Sequence, residues 1–233
     1  MKQKVQIALI FAVAVAALRT GYILYERHED NIEQGAKQPP PLDPDYYVTP
    51  KRLHPYDLAS ARQLTQQPVW VRVGYGSLFY SYDRARHRSD FSHEAGKFLP
   101  LEKLDIKDVV SDVSPGSPDQ RQVIAIFEKD GKSYSFPIGS VKDGNYQIYS
   151  DDMLFIQDPH ELYKHWPPEV WAAIDKHEVK PGMSELQADF AIGLGIPEGS
   201  GNSSTRTLDY PNGGTPLRVT FDNEKATAIE PGT

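Results

Sequence analysis

A chain of 233 residues with 39% hydrophobic content is long enough for one or two domains with proper cores, which excludes disorder throughout. A formal charge of −7 argues against nucleic acid and anionic lipid surfaces as partners. The absence of cysteine excludes disulfides, thiol catalysis, Fe–S clusters, thiolate zinc sites and a lipid anchor on an N-terminal cysteine.

The first 25 residues set the compartment in this reading. Lys2 and Lys4 precede an apolar run from Val5 to Leu18, interrupted only by Gln6, and Tyr22-Ile23-Leu24-Tyr25 follow Arg19. Extended to Leu24 the run reaches about 30 Å as helix, the thickness of a hydrocarbon core, with Arg19 able to snorkel to the headgroups. It reads as a transmembrane signal anchor over residues 1–25. The rival is a cleaved secretory signal with small-residue sites at Ala12-Val13-Ala14 and Ala14-Val15-Ala16. The basic side precedes the run and Glu26-Arg27-His28-Glu29-Asp30 follows it, which predicts a single-pass inner-membrane protein with the bulk of the chain outside the cytoplasm.

Residues 26–67 read as a proline-rich linker ending in a short helix. Pro39-Pro40-Pro41, Pro44, Pro50 and Pro55 lie among polar residues too poor in apolar groups to offset ordering, so residues 26–56 are expected to be extended. Asp57 then has the chemistry of an N-cap for a helix carrying Leu58, Ala61 and Leu64 on one side.

From residue 68 to 157 the hydrophobic period changes to alternation. Val69 to Val73 and Leu78 to Tyr82 read as strands broken at Gly74-Tyr75-Gly76. Asp130-Gly131, a type I′ pair, predicts a hairpin that sets Phe127 opposite Tyr134, Ala125 opposite Phe136 and Val123 opposite Ile138. With Asp105–Val110 and Asn145–Tyr149 this makes five or so short strands, a small antiparallel unit of SH3-like size. Arg84-Ala85-Arg86-His87-Arg88 reads as a polar loop, solvated or docking acidic groups.

No catalytic pattern survives inspection. His160 and His165 in His160-Glu161-Leu162-Tyr163-Lys164-His165 are five apart, so they do not share the helical face a zinc site needs. His87, His93 and Glu94 lie in a charged loop. Gly193-Leu194-Gly195 follows a helix, the reverse of a phosphate cradle, and Ser200 has no base near it in sequence. No catalytic, cofactor-binding or metal-ligating residue, and no cofactor, is expected.

Residues 158–233 read as two helices and three strands. Pro167 and Pro168 open a helix bearing Val170, Trp171 and Ile174; Ser184 and Gln187 have capping-box spacing before a helix that Gly193 ends. Arg206–Tyr210, Pro216–Phe221 and Ala226–Ile229 follow as strands, with turns at Asn212-Gly213 and Asp222-Asn223. Leu162, Tyr163 and Trp166 are expected to bury themselves between this part and the middle sheet, making one rigid body.

Gly182-Met183-Ser184-x-x-Gln187, the helix to Gly193, Pro197, the strand at Tyr210 and Leu217-Arg218-Val219-Thr220-Phe221-Asp222-Asn223 resemble the SmpA/OmlA (BamE-like) domain. The resemblance covers about Pro167 to Ile229 and implies an α+β fold and a role beside outer-membrane assembly. The expected fold class is therefore α+β: transmembrane helix, linker, SH3-like unit and BamE-like domain. The expected function is a non-catalytic binding and scaffolding module with an envelope protein as partner. The alternative is an envelope enzyme, which a deep pocket holding two of Asp83, His87, His93 and Glu94 would favour.

Overall fold

The turn at Asp130-Gly131 forms as its sequence requires, both residues taking left-handed φ of 52° and 72°. It joins two long strands, which sit at the centre of the middle sheet. The computed structural model describes residues 15, 17–25, 27, 42–72, 74–115, 117–199 and 204–232, excluding the side chains of 117–119. The chain divides into two units, Met1–Tyr46 and Tyr47–Thr233.

In the first unit the described helical residues lie between 15 and 27. They span at most about 20 Å, short of a roughly 30 Å hydrocarbon core. The predicted anchor is corrected accordingly: among the described residues no helix is long and apolar enough to cross a membrane. Residues 1–14 of the predicted span, and most of the predicted cleavage region, lie outside the described residues. The single-pass inner-membrane placement that rested on the anchor falls with it.

In the second unit the strands are β1 (Val69–Val71), β2 (Leu78–Asp83), β3 (Arg88–Lys97), β4 (Lys103–Leu104), β5 (Ile106–Ser114), β6 (Ser117–Lys129), β7 (Lys132–Lys142), β8 (Asn145–Ile148), β9 (Leu154–Phe155), β10 (Ile196–Pro197), β11 (Thr205–Tyr210), β12 (Leu217–Asp222) and β13 (Lys225–Pro231). The helices are short: α1 (Leu58–Ala61), running into a 3-10 turn Arg62–Gln66, then α2 (Ser150–Met153), α3 (Pro159–Leu162), α4 (Pro168–Ile174) and α5 (Glu185–Ile192). Strand makes up 41% of the structure, so the expected α+β class is corrected to a mostly β fold of three antiparallel sheets. The physical cause is helix length. The amphipathic stretch from Pro167 stops at Ile174, and three residues later His177 takes a left-handed φ of 56°.

The middle unit is not an SH3-like barrel of short strands. Its sheet runs β3-β2-β7-β6-β5, and β8 pairs with the far end of β7. β6 alone is 13 residues long. Phe127 pairs with Tyr134 and Ala125 with Phe136, as the turn predicts, but Val123 meets Gly139 because a bulge at Val123/Ile124 adds a residue to β7. The largest surprise is β3, which sequence reading left as a charged loop. Its residues Arg88-Ser89-Asp90-Phe91-Ser92-His93-Glu94 contain no β-branched side chain, so only the pairing of Arg88, Ser89 and Glu94 with β2, on either side of a bulge, makes this stretch a strand.

A second sheet, β4-β1-β9, is a partition between two cores. Alternation explains how strands this short serve both sides: Val69, Val71 and Leu154 face a core with Phe79, Phe98, Phe127 and Phe136, while Trp70 and Phe155 face one with Trp166, Phe190 and Tyr210. The third sheet, β10-β11-β12-β13, carries α4 and α5 over the second core. The capping box at Ser184 and Gln187 is present, with Ser184 N–H donating to Gln187 Oε1 at 2.9 Å. The last hairpin turns at Asn223-Glu224 rather than at Asp222-Asn223, both residues having positive φ, since Asp222 still pairs with Lys225.

From Val48 to His54 the segment expected to be an extended linker is tied to the rest of the second unit. Lys51 N–H donates to Gln157 Oε1 (2.8 Å), and Leu53 and His54 donate to the Asp151 carboxylate (3.1 and 2.8 Å). Side chains thus satisfy backbone donors that no strand satisfies, while Val48 and Leu53 add apolar contact to the two cores. Residues 28–41 of that segment lie outside the described residues.

Tyr75 locks the middle sheet to the C-terminal one. A Cβ at Gly213 would lie 2.7 Å from its Cε1, and one at Gly193 3.4 Å from its Cδ2. Gly213 also has φ 64°. Gly213→Ala therefore meets a steric clash and a left-handed backbone together, and should cost roughly 1–3 kcal/mol in urea unfolding. An unchanged midpoint would show that Tyr75 moves aside freely.

Candidate functional site

The outermost strands of the middle sheet, β3 and β5, meet each other through a side chain. Ser89 N–H on β3 donates to Asp112 Oδ2 on β5 at 2.9 Å, and Ser89 Oγ lies 2.7 Å from Ser135 Oγ on β7. Ser89, Asp112 and Ser135 are all buried. A side-chain clamp thus closes what ladder bonds leave open, and the sheet curls so that its two edges come together.

Beside the clamp the edges part. Between Tyr80↔Glu94 and Tyr82↔Ser89 the register of β3 jumps, so residues 90–93 bulge away from β2. Phe91 turns back edge-on against Tyr80, with ring centroids 5.1 Å apart, and packs over Tyr82, Ile124 and Ile126. The result is an open groove of about 910 Å³ between the bulge and the end of β5, walled by Arg86, Arg88, Ser92 and Phe91 on one side and Val113 to Pro115 on the other.

The polar groups of the groove are unequally committed. Asp83 accepts the N–H groups of Ala85 and Arg86 (2.9 and 3.0 Å), as an Asx turn does, and its other oxygen lies 3.7 Å from Arg86 Nε. Asp90 accepts the Ser92 N–H, and its hydrogen bond to His93 holds its carboxyl below the usual range. Arg88 has neither an ion pair nor a hydrogen bond from its side chain among the described residues. On β5 the aspartates blunt the edge: Val109 N–H donates to Asp108 Oδ1 and Val113 N–H to Asp112 Oδ1, each at 2.7 Å.

The other candidates do not converge. His160 stacks on Trp171 at 4.0 Å, with its ring nitrogens 3.2 Å from Asp158 and 3.4 Å from Asp175. His165 lies beyond the end of α3, against the rings of Tyr163 and Trp166. His87 sits in the β2–β3 turn with φ 51°, and of Asp83, His87, His93 and Glu94 only Asp83 lines the groove. Gly193 terminates α5, while Ser200 is outside the described residues. Sequence reasoning noticed Arg84 to Arg88 but missed Ser89, Phe91 and Asp112; a run of small polar residues around one aromatic gave no periodic signal to find.

Comparison with protein-family models, curated proteins and solved structures yields no match to this chain.

Proposed function

We propose that this chain is a non-catalytic binding module whose ligand site is the groove between β3 and β5. The observation that carries the reading is the open seam: two edge strands brought together by one buried clamp, then separated around a cleft with both charged and apolar walls. Its volume falls within the roughly 300–1,000 Å³ usual for ligand pockets. His160 and His93 fit the same reading, each being held by an aspartate of its own neighbourhood. The SmpA/OmlA resemblance of the C-terminal part is in keeping with a binding role.

Panning a displayed random-peptide library on the full chain tests this. Ser92 is exposed on the groove wall, so Ser92→Trp fills the groove with little effect on folding. Peptides enriched on the native chain should lose at least about tenfold in affinity on Ser92→Trp, equivalent to roughly 1.4 kcal/mol. No enrichment, or enrichment that Ser92→Trp leaves untouched, overturns the assignment of the groove.

A further inference from the structure

We infer that the groove takes an extended peptide in which a carboxylate alternates with an apolar side chain, Arg88 holding the carboxylate. The inference rests on the reading of the groove as a binding site and goes further by naming what binds. Arg52, Arg62, Arg84, Arg86, Arg206 and Arg218 each pair with a carboxylate of this chain. Arg72 lies over the Phe155 ring and Arg121 donates to Ser111. Arg88 alone among the described arginines of residues 47–232 is left with its guanidinium uncommitted, and it lines the groove.

The neighbouring carboxylates do not compete for it. Asp83 is occupied by two backbone N–H groups and Arg86, and Asp90 by Ser92 and His93. A guanidinium presents a planar fork that matches an incoming carboxylate with two parallel bonds. Phe91 and the half-exposed Val113 supply apolar surface in the same groove. Extended chains repeat side chains on one face about every 6.6–6.8 Å, so a carboxylate on Arg88 places the side chain two residues on over that surface. Recognition runs through side chains, because Asp108 and Asp112 already take the Val109 and Val113 N–H groups that an added strand on β5 would need. The chain carries a net charge of −7, so its long-range field repels an acidic ligand, and selectivity lies in the contact rather than in steering.

The test is fluorescence anisotropy of the full chain with labelled six-residue peptides of alternating Glu-Val, Ser-Val and Lys-Val, each with blocked ends. The Glu-Val peptide should bind at least about tenfold tighter than the other two, and Arg88→Ala should remove most of that preference while Arg88→Lys keeps part of it. Both variants change an exposed side chain, and thermal melts should overlay. Equal binding of Glu-Val and Ser-Val, or a preference that survives Arg88→Ala, overturns the inference. If library peptides without carboxylates bind in a manner that Ser92→Trp abolishes, the groove stands as a binding site and only the ligand assigned to it is wrong.

Discussion

Replacing Trp166 with alanine should destabilise the Tyr47–Thr233 unit by roughly 3–5 kcal/mol, the usual cost of truncating a buried aromatic. Trp166 is 5% exposed and stands among Tyr163 at 4.5 Å, Trp171 at 5.2 Å and Phe190 at 5.4 Å between ring centroids. Phe190 in turn meets Phe155 of the partition sheet, whose neighbour Leu154 faces the opposite core. Because β9 belongs to both cores, loosening one loosens the other. At roughly 2–4 °C per kcal/mol for a unit of this size, the melting temperature should fall by about 6–20 °C in a single transition. Hydrogen exchange on the variant should show faster opening in both the β6–β7 hairpin and the β11–β12 hairpin. Loosening confined to the latter would mean that the two cores unfold independently.

The second large effect is a stability that falls as pH rises. Asp189, on α5, is pushed up to about 7, chiefly because its partly buried carboxyl loses water beside Tyr210 of the third sheet. Its hydrogen bond from Gly195 N–H is long, at 3.4 Å, and offsets the burial only in part, as does the approach of Tyr210; Glu185 adds to the rise and Arg206 opposes it. The buried Tyr210 hydroxyl makes no hydrogen bond of good geometry.

The native state therefore holds a proton on Asp189 that the unfolded chain, with an ordinary carboxyl near 3.8, has released. Stability from this group is fully present below about pH 4 and is lost as pH rises through about 7, by at most about 4 kcal/mol at 1.36 kcal/mol per pH unit. Asp189→Asn keeps the shape without the charge. The variant should flatten the decline of the urea midpoint between pH 5 and 8, and should exceed the native chain in stability at pH 8. An identical slope in both proteins would place the ionised carboxylate in contact with water.

Legibility in the sequence followed how local the cause was. The turn at Asp130-Gly131 and the capping box at Ser184 and Gln187 were readable because the deciding chemistry lies within four residues. The same is true of Asp57, whose carboxylate accepts the Ser60 N–H at 2.7 Å. The groove was only half readable. Arg84 to Arg88 stood out as a basic run, but Arg88, the residue proposed to hold the ligand, is distinguished only by lacking a partner that every other described arginine of that unit has.

Composition by itself determined what chemistry this protein lacks, thiols above all, and local pattern determined where its turns, helix starts and main hairpin lie, since both depend on residues near each other in the chain. Only the tertiary structure decided that Arg88–Lys97 is a strand, because Arg88, Ser89, Glu94, Gly96 and Lys97 find their ladder partners on β2, on either side of the bulge. It alone decided that β3 and β5, the two ends of one sheet, are clamped through Ser89 and Asp112, a contact 23 residues apart in sequence. And it alone shortened the helices to a mostly β fold, because short helices form or stop according to what covers their apolar side, which no stretch of sequence specifies by itself.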